Sequence, residues 1–258
     1  MKSVCVIPAR MASSRFPGKP LKPLLGMPLI QHVYLRCRLY GGFDRVAVGT
    51  CDVEIAEAIR AIGGEAVMTR DTHERCTDRV EEAIDNLGLD LVDDDLVLMV
   101  QGDEILVSPQ MLEHMVEVYR NGKPDVVNLI SRLSRIEDHD DVNTVKVVTA
   151  PDGRILYFSR APIPSRARVA LDDVPMYQQT GIIAFRTAFL RAFSRLPQTP
   201  LEKIESCDMM RVIEHNLPIR AVRTEIETIG VDTDADRRRA ETILKDDPVT
   251  ARYREARP

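Results

Sequence analysis

The sequence predicts an α/β fold of three layers (αβα), in which a mainly parallel sheet lies between two layers of helices. Short apolar segments alternate with longer amphipathic segments from residue 4 to residue 122, which is the pattern of repeated β-α-β units. Charged residues also follow two of the apolar segments, at the strand ends where such sheets bind ligands. The length of 258 residues is at the upper end of what one hydrophobic core serves, so residues 1–258 are expected to form a single domain.

The first half of the chain predicts strands and helices in strict alternation. The predicted helices carry apolar residues three or four positions apart, and glycines end them. Asp52 is placed to cap the second helix, and Asp78 with Glu81 has the spacing of a capping box for the third. Ser108 followed by Pro109 begins the fourth. The predicted strands are residues 4–7, 45–50, 65–68 and 96–100, and the predicted helices are residues 28–40, 52–63, 77–88 and 108–122.

A different pattern follows residue 125, where strands come first and helices return later. The turn at residues 150–153, Ala-Pro-Asp-Gly, joins two of these strands and predicts an insertion that contains a β-hairpin. The segment after residue 246 is charged and poor in apolar residues, so we expect it to be loosely held. The predicted strands are residues 126–130, 145–149, 154–158, 181–185 and 219–224, and the predicted helices are residues 188–195 and 202–214 with a last one after Thr233.

An irregular loop after the first predicted strand concentrates three cations. Arg10, Arg15 and Lys19 lie among prolines and a glycine that allow neither helix nor strand to continue. Arginine offers a planar fork to phosphate oxygens and lysine a point charge, so the three together suit a polyphosphate. The loop is not a Walker A motif, since Lys19 is followed by Pro20 rather than by serine or threonine. A basic surface loop without a ligand is the alternative interpretation.

Composition and charge exclude several classes of protein. The formal net charge of −5 argues against a general nucleic-acid binder, which needs a basic face. No apolar run approaches the ~20 residues of a membrane span, and the first three residues lead into a strand without the layout of a signal peptide. The five cysteines are odd in number and scattered, which predicts neither disulfides nor a zinc site and fits a cytoplasmic location.

Acidic residues follow the most hydrophobic predicted strand, residues 96–100. Asp103 lies at the same edge of the predicted sheet as Arg10 and Lys19, and a carboxylate beside bound phosphates needs a cation between them. Mg²⁺ is the natural cation, because it is commonly held by one or two carboxylates together with phosphate oxygens. Asp232 is the candidate for the second carboxylate. Its alternative role is the N-cap of the last helix, and the residues alone leave both roles equally open.

Six segments of the sequence together resemble the signature motifs of one enzyme family. The first reads Arg-Met-Ala-Ser-Ser-Arg-Phe-Pro-Gly-Lys-Pro-Leu and the second reads Gln-Gly-Asp-Glu. In their order along the chain they are similar to the CMP-Kdo synthetases, the 3-deoxy-manno-octulosonate cytidylyltransferases, and the similarity extends from about residue 4 to residue 240. The six segments are residues 10–21, 101–104, 143–146, 157–160, 200–202 and 230–233.

The resemblance implies transfer of CMP from CTP to a small anionic acceptor, with release of pyrophosphate, by a homodimeric enzyme. It also implies that Asp103 and Asp232 bind Mg²⁺, and that residues from about 125 to 200 bind the acceptor and form the dimer contact. Catalytic roles are expected for Arg10, Arg15, Lys19 and Asp103. Nucleotide contacts are expected from Ala9, Arg10, Ser13, Lys19, Thr77, Arg79 and Gln101, and acceptor contacts from Asn143, Lys146, Arg160, Gln179, Glu202 and Asp208.

The chain departs from the family pattern mainly at the acceptor residues. A histidine of the pattern is Gln179 here, a tyrosine is Ile183, and a Glu-Gln pair is residues 208–209, Asp-Met. In the nucleotide half, a Ser-Gly pair is residues 75–76, Arg-Cys. Kdo or a related 3-deoxy-2-ulosonic acid is the leading acceptor, and a small phosphonate such as phosphonoformate is the alternative. A UTP- or dTTP-dependent enzyme stays open, and a non-catalytic CTP-binding protein ranks low because both aspartates are present.

Overall fold

In the described part of the chain, nine strands form one sheet and two further strands of two residues each form a separate pair. The computed structural model describes residues 1–12, 16–168, 174–226 and 228–255. The strands of the large sheet are β1 (Ser3–Ala9), β4 (Arg45–Thr50), β5 (Glu65–Met68), β6 (Leu96–Val100), β7 (Val126–Arg132), β8 (Lys146–Thr149), β9 (Ile155–Ser159), β10 (Tyr177–Arg186) and β11 (Arg220–Thr224), and the small pair is β2 (Pro23–Leu24) and β3 (Met27–Pro28).

The order of the strands places β6 and β1 near the middle of the sheet. That order is β11-β7-β10-β6-β1-β4-β5, and neighbours are parallel except where β10 lies antiparallel between β6 and β7. Strands β1, β4, β5 and β6 are parallel because a crossover after each returns the chain to the same edge. The prediction of an α/β fold with a mainly parallel sheet is confirmed.

Helices cover both faces of the sheet. None of the described helices is both long and apolar enough to cross a membrane. The helices are α1 (Leu29–Arg38), α2 (Val53–Arg60), α3 (Cys76–Asn86), α4 (Pro109–Gly122), α5 (Ile136–Asp140), α6 (Thr187–Phe193), α7 (Pro200–Glu205), α8 (Met209–Glu214), α9 (Asp234–Asp246) and α10 (Pro248–Glu255), and a 3₁₀ helix spans Lys19–Leu21.

Among the described residues, the apolar core forms one large cluster on each face of the sheet, and Leu133, Val174 and Met176 form a small third cluster. Cys5 and Ile7 of β1 belong to the cluster that includes side chains of α1, α2, α4 and α9. Val4 and Val6 belong to the cluster that includes side chains of α3, α6 and α8. Because successive side chains of a strand point to opposite faces, a strand buried on both faces must be apolar throughout. This is why the central strands appear in the sequence as short continuous runs of apolar residues.

The predicted β-hairpin is present and is attached to the main sheet. Strands β8 and β9 pair antiparallel, with Lys146 opposite Ser159. Strand β8 also pairs with the first residues of β10, where Gln178 lies opposite Lys146. The hairpin therefore extends the sheet beside the point where β10 approaches the end of β6.

Several helix boundaries differ from the sequence prediction. The capping box proposed for Asp78 and Glu81 is wrong, because α3 begins at Cys76. Asp52 does occupy the N-cap of α2, but its carboxylate accepts a hydrogen bond from the backbone N–H of Met11 at 2.7 Å instead of capping the helix. The predicted helix at residues 202–214 is two helices, since Ser206 has a left-handed backbone with φ 48° that ends α7.

The expectation of a loosely held segment after residue 246 is wrong for residues 247–255, while residues 256–258 lie outside the described ranges. Residues 248–255 form α10, which packs on α1 and is hydrogen-bonded to it. The Tyr253 hydroxyl lies 2.7 Å from Nδ1 of His32, and the Arg36 guanidinium contacts the Asp247 carboxylate at 2.6 Å. Arg36 is 1% exposed. A buried charge needs a carboxylate partner, and the terminal segment supplies it.

Candidate active site

Two adjoining cavities lie at the edge of the sheet where β1 and β6 end. Gln101, Asp103 and Asp232 line both of them, so ligands in the two cavities would meet at these residues. The first cavity has a volume of about 280 Å³ and its lining includes Ala9, Arg10, Lys19, Arg75, Cys76 and Arg79. The second has a volume of about 320 Å³ and its lining includes Glu104, Asn143, Arg160, Gln179, Asp208 and Met209.

A cluster of one cation and two carboxylates occupies the junction of the two cavities. Lys19 Nζ donates to Asp103 Oδ2 at 2.7 Å and to Asp232 Oδ1 at 3.0 Å. Burial alone would lower the pKa of Lys19, but the two carboxylates outweigh it and raise that pKa well above its usual value. Gly18, with φ 68°, turns the chain into the 3₁₀ helix that carries Lys19. The loop after β1, the end of β6 and the start of α9 thus place the charges of Lys19, Asp103 and Asp232 next to one another.

The structure rules out one of the two roles that the sequence left open for Asp232. The N-cap of α9 is Thr233, whose hydroxyl accepts from the backbone N–H of Asp236 at 3.2 Å in a complete capping box. Asp232 is therefore not the cap. Its carboxylate faces Lys19 and both cavities instead.

The two carboxylates are suited to a divalent cation. They already share a positive group, the Lys19 ammonium, and they are only partly exposed, at 21% for Asp103 and 25% for Asp232. No cluster of three or more histidine, cysteine or acidic side chains fit for a metal occurs in the described ranges. Two carboxylates with the remaining positions left to phosphate and water is the usual arrangement for Mg²⁺. The donor set fits Mg²⁺ once a phosphate is bound.

The opposite part of the first cavity presents arginine donors. Arg79 is 2% exposed, and its Nη1 donates to Thr69 Oγ1 and, at 3.1 Å, to the carbonyl of Arg70. Its Nη2 is buried and has no hydrogen-bond partner among the described residues. Arg10 is exposed, and its Nη1 donates to the carbonyl of His73 at 3.2 Å. Both arginines line the first cavity, so it has positive charge on this side.

The second cavity is lined by amides, carboxylates and one arginine. Gln179 spans two neighbours: its Nε2 donates to Asn128 Oδ1 at 2.8 Å, and its Oε1 lies 3.2 Å from the thiol of Cys207. The Arg160 guanidinium donates to the carbonyls of Glu205 at 2.7 Å and Val142 at 2.9 Å. These contacts hold the arginine at the edge of the cavity, where its charge suits an anionic ligand.

Three of the residues expected to touch substrates have other contacts. Thr77 is fully buried and its hydroxyl donates to Asp208 at 2.8 Å. Lys146 is also fully buried and donates to three backbone carbonyls, at 2.6 to 2.7 Å. Glu202 is fully buried and holds Arg211 through two hydrogen bonds, at 2.6 and 2.7 Å. None of the three lines either cavity, so they organise the walls rather than contact a ligand.

The remaining expected residues divide between the two cavities or fall outside the described ranges. Ser13 and Arg15 lie outside the residues that the structure describes. The expected nucleotide and catalytic residues in the first cavity are Ala9, Arg10, Lys19, Arg79, Gln101 and Asp103. The expected acceptor residues in the second cavity are Asn143, Arg160, Gln179 and Asp208.

Glu104 is a residue of the site that the sequence reasoning missed. It is 6% exposed; Oε1 accepts from the backbone N–H of Gly181, and Oε2 has no partner in the described part of the chain. Burial and the charge of Asp103 raise the pKa of Glu104 to about 7. Its place in the Gln-Gly-Asp-Glu segment was a signal. What the sequence did not show is that β10 lies beside it, where Gly181 of that strand donates its backbone N–H to the Glu104 carboxylate.

Comparison with known proteins gives a consistent family. The model of the cytidylyltransferase family matches residues 4–236. A 3-deoxy-manno-octulosonate cytidylyltransferase of Syntrophobacter fumaroxidans is 42% identical over 252 residues, which is 97% of this chain and 100% of that protein. An 8-amino-3,8-dideoxy-manno-octulosonate cytidylyltransferase of Shewanella amazonensis is 40% identical over 249 residues, which is 96% of this chain and 100% of that protein.

A solved structure of the same kind of enzyme is also similar to this chain in fold. It is the structure of CMP:2-keto-3-deoxy-manno-octonic acid synthetase complexed with CTP, with a TM-score of 0.85 and 35% sequence identity over 95% of this chain and 99% of that one. The same loop, strand end and helix start that carry the Lys19, Asp103 and Asp232 cluster lie within the range of the family match. The chain is a nucleotidyltransferase and belongs to the CMP-Kdo synthetase family of cytidylyltransferases.

Proposed function

We propose that this protein transfers CMP from CTP to the hydroxyl of Kdo or of a related 3-deoxy-2-ulosonic acid and releases pyrophosphate. The observation that carries the proposal is the meeting of two cavities at Asp103 and Asp232. A nucleotidyl transfer needs an α-phosphate and an attacking oxygen brought together in line, and two cavities that share one acidic wall provide this arrangement.

The first cavity is proposed to hold CTP. Lys19 and Arg10 line it and supply positive charge for the triphosphate, where charge builds on the leaving pyrophosphate. Arg79 also lines this cavity and is proposed to contact the base. Arg15 is proposed to add to the phosphate contacts and Ser13 to the nucleotide contacts, from the same loop.

Mg²⁺ is proposed as the cofactor, held by Asp103 and Asp232. When bound, it would neutralise repulsion between the two anionic substrates and lower the pKa of the attacking hydroxyl. The chain itself supplies Lys19, whose Nζ lies within 3.0 Å of both carboxylates and keeps the junction from carrying uncompensated negative charge. Lys19 can also donate to phosphate oxygens from this position, since an ammonium has three donors.

The second cavity is proposed to hold the acceptor, with Arg160 facing its carboxylate. A volume of about 320 Å³ lined by many polar groups suits a polyhydroxylated acid better than phosphonoformate, which has few groups to pair with them. Asp141 and Asp208 are among the acidic residues that line this cavity, and their carboxylates could face an amino group. The amino sugar acid named for the Shewanella relative is therefore included among the acceptors to test.

The test is pyrophosphate release from CTP, UTP, ATP and dTTP, each with Kdo, its 8-amino analogue and phosphonoformate. We expect turnover with CTP and an ulosonic acid, and loss of turnover in Asp103→Asn. Comparable kcat/KM with a purine nucleotide would contradict the assignment of the base. Turnover with phosphonoformate alone would contradict the assignment of the acceptor, and binding of CTP without turnover on any acceptor would favour a non-catalytic protein.

We further propose a homodimer in the cytoplasm. Exposed apolar side chains in the region of residues 125–200 support an association surface there, with Val142 at 65% and Leu156 at 43% exposure. All five cysteines are free thiols, which supports a reducing compartment.

A further inference from the structure

A third cavity lies at the edge of the sheet opposite the candidate active site. Strands β6, β7 and β11 run in the same direction, since β10 is antiparallel to both β6 and β7, and β11 is parallel to β7. The first two cavities lie where β6 ends, whereas the third lies where these three strands begin. It has a volume of about 510 Å³ and shares no lining residue with the other two.

Backbone pairing holds two arginines side by side in the third cavity. Arg154, just before β9, and Arg220, the first residue of β11, form an antiparallel bridge. The flanking residues donate backbone N–H groups across the bridge, from Ala221 to Gly153 at 2.8 Å and from Ile155 to Ile219 at 2.9 Å. The two arginines are therefore a non-hydrogen-bonded pair, in which the Cα atoms are about 4.5 Å apart and the side chains leave from one face. Both line the cavity and both are exposed, so a ligand can reach their donors.

The other two cations of the third cavity are already paired with carboxylates. Lys123 Nζ lies 2.7 Å from Asp94 Oδ2, and Arg186 Nη2 lies 2.6 Å from Asp125 Oδ1. Arg186 Nη1 is also 3.8 Å from Asp94 Oδ1. These four residues line the cavity as two approximately neutral pairs. They therefore do little to neutralise the remaining two arginines.

Arg154 and Arg220 carry positive charge that the cavity does not neutralise. Among the residues that the structure describes, neither forms an ion pair. Asp152 lines the same cavity, and its Oδ1 accepts from the backbone N–H of Arg154 at 2.9 Å, so one carboxylate stands against two guanidinium groups. Like charges directly opposite each other in a sheet repel, and here the backbone pairing keeps them together. A bound anion would offset that repulsion.

The chemistry of the pair selects a phosphate group. Arginine offers a planar fork that matches phosphate oxygens, and a phosphate monoester carries nearly two negative charges at neutral pH. The volume of the cavity exceeds that of a phosphate ion and leaves room for an organic group beside it. Pro124 and Pro218 line the cavity and offer apolar surface to such a group.

We propose that the third cavity is a second anion site, in which Arg154 and Arg220 bind the phosphate group of a small molecule. The site is separate from the cavities proposed for CTP and the acceptor, so the inference does not depend on the proposed function. Free phosphate and an organic phosphate share the chemistry that the two arginines recognise. Pro124 and Pro218 favour the organic phosphate, whose carbon atoms can contact them.

The first experiment measures the binding of inorganic phosphate and phenyl phosphate by calorimetry at low ionic strength, where salt screens the arginines least. All variants are made in Lys19→Gln, which removes a cation from the candidate active site and reduces phosphate binding there. We expect Arg154→Gln and Arg220→Gln each to weaken both ligands about tenfold, because each removes a charge-assisted contact. Arg195→Gln is the matched control: it changes an exposed arginine that lines none of the three cavities, and should bind like its parent.

The two ligands distinguish the source of the phosphate. Tighter binding of phenyl phosphate than of inorganic phosphate would assign the site to an organic phosphate, and equal affinities would assign it to free phosphate. Unchanged affinity in both Arg154→Gln and Arg220→Gln would overturn the site. Failure of the Lys19→Gln parent to bind either ligand would overturn it as well, whichever nucleotide the active site uses.

The second experiment tests the repulsion between the two arginines through the melting temperature of the same variants. Without phosphate, Arg220→Gln should melt at or above the temperature of its parent, because like charges no longer face each other. Phenyl phosphate should raise the melting temperature of the parent and leave that of Arg220→Gln nearly unchanged. A lower melting temperature of Arg220→Gln without phosphate would show that the arginine is structural, and equal shifts with phenyl phosphate would place the ligand elsewhere; either result overturns the inference.

Discussion

At the scale of single residues, the cluster of Lys19, Asp103 and Asp232 brings three charged groups together where the two cavities meet. Two partly buried carboxylates at one point would repel each other, and Lys19 offsets that repulsion at distances of 2.7 and 3.0 Å. The two carboxylates are the proposed Mg²⁺ ligands, and Lys19 is a proposed phosphate contact. Substitutions here should therefore separate effects on turnover from effects on stability.

The first prediction concerns the two aspartates. Asp103→Asn and Asp232→Asn should each abolish turnover and leave CTP binding largely intact, because each removes a proposed Mg²⁺ ligand without changing shape. Neither should cost the stability of a lost helix cap, since Thr233 caps α9. Thr233→Ala is the matched control, and should lower the free energy of unfolding by about 1 kcal/mol with the aspartates in place. Measurement of kcat and urea unfolding on the same variants checks both statements.

The second prediction uses the pKa of Glu104. A pKa raised from 4.5 to about 7 means that the folded chain keeps a proton that the unfolded chain loses. The contribution of this group to stability is therefore present at low pH and is lost as pH rises through about 7. We expect a loss of about 1–3 kcal/mol from this group between pH 4.5 and pH 8. Urea unfolding with a chelator should show a smaller decline in Glu104→Gln, and equal declines would contradict the prediction.

The third prediction concerns the acceptor wall. Gln179 is neutral and bonded to Asn128, and Met209 is apolar and fully buried at the second cavity. We expect weaker use of Kdo than is usual in the family, because polar groups of the sugar left without partners cost about 1–3 kcal/mol each. The double change Gln179→His with Met209→Gln should raise kcat/KM for Kdo. An unmodified enzyme with the family's normal efficiency on Kdo would show that these departures are neutral.

At the scale of elements, α10 completes the burial of α1. Arg36 donates to the carbonyl of Val107 at 2.6 Å and to Asp247, so the terminal segment satisfies a charge that lies inside the molecule. Ordering this segment costs conformational entropy, and the ion pair together with the buried Tyr253 offsets that cost. The sequence did not predict that this segment packs on α1, because the segment has few apolar residues. One buried aromatic and one carboxylate are a weak sequence signal.

The fourth prediction tests that contact. Asp247→Asn leaves the buried guanidinium of Arg36 without a counter-charge and should destabilise the protein by about 3 kcal/mol, as expected when one member of a buried ion pair is removed. Arg252→Gln changes an exposed residue of α10, the helix that follows Asp247, and should alter the free energy of unfolding by less than ~0.5 kcal/mol. Urea unfolding of the two variants checks the difference, and equal stabilities would contradict a structural role for α10.

At the scale of the whole molecule, the fifth prediction concerns association. We expect a solution mass of about twice the 29.1 kDa of one chain, measured by light scattering. Val142→Glu should shift the protein towards monomer, because it places a charge on an exposed apolar position of the expected contact region. The matched control is Val53→Glu, an exposed apolar position of α2 outside that region. A monomeric wild type, or equal effects of the two changes, would contradict this contact region.

The sequence by itself determined the fold class and most of the central elements. Strands such as β4 and β6 are buried on both faces, so they must be continuous apolar runs, and such runs are visible without any structure. The loop with Arg10 and Lys19 and the segment with Asp103 were visible as well, because charges directly after buried strands converge at one edge of a parallel sheet. Both kinds of feature, the apolar strands and the charges that follow them, can be recognised from residues that are adjacent in the chain.

Only the tertiary structure decided the contacts between residues that are distant in the chain. It made Thr233 rather than Asp232 the cap of α9, and it brought Asp232 within 3.0 Å of Lys19. It buried Lys146 and Glu202 in the walls, where the sequence suggested substrate contacts. The sequence does not show whether a charged side chain faces a cavity or is buried against a partner of opposite charge. A charged side chain can be buried only where such a partner lies next to it, and the packing of the folded chain places the partner there.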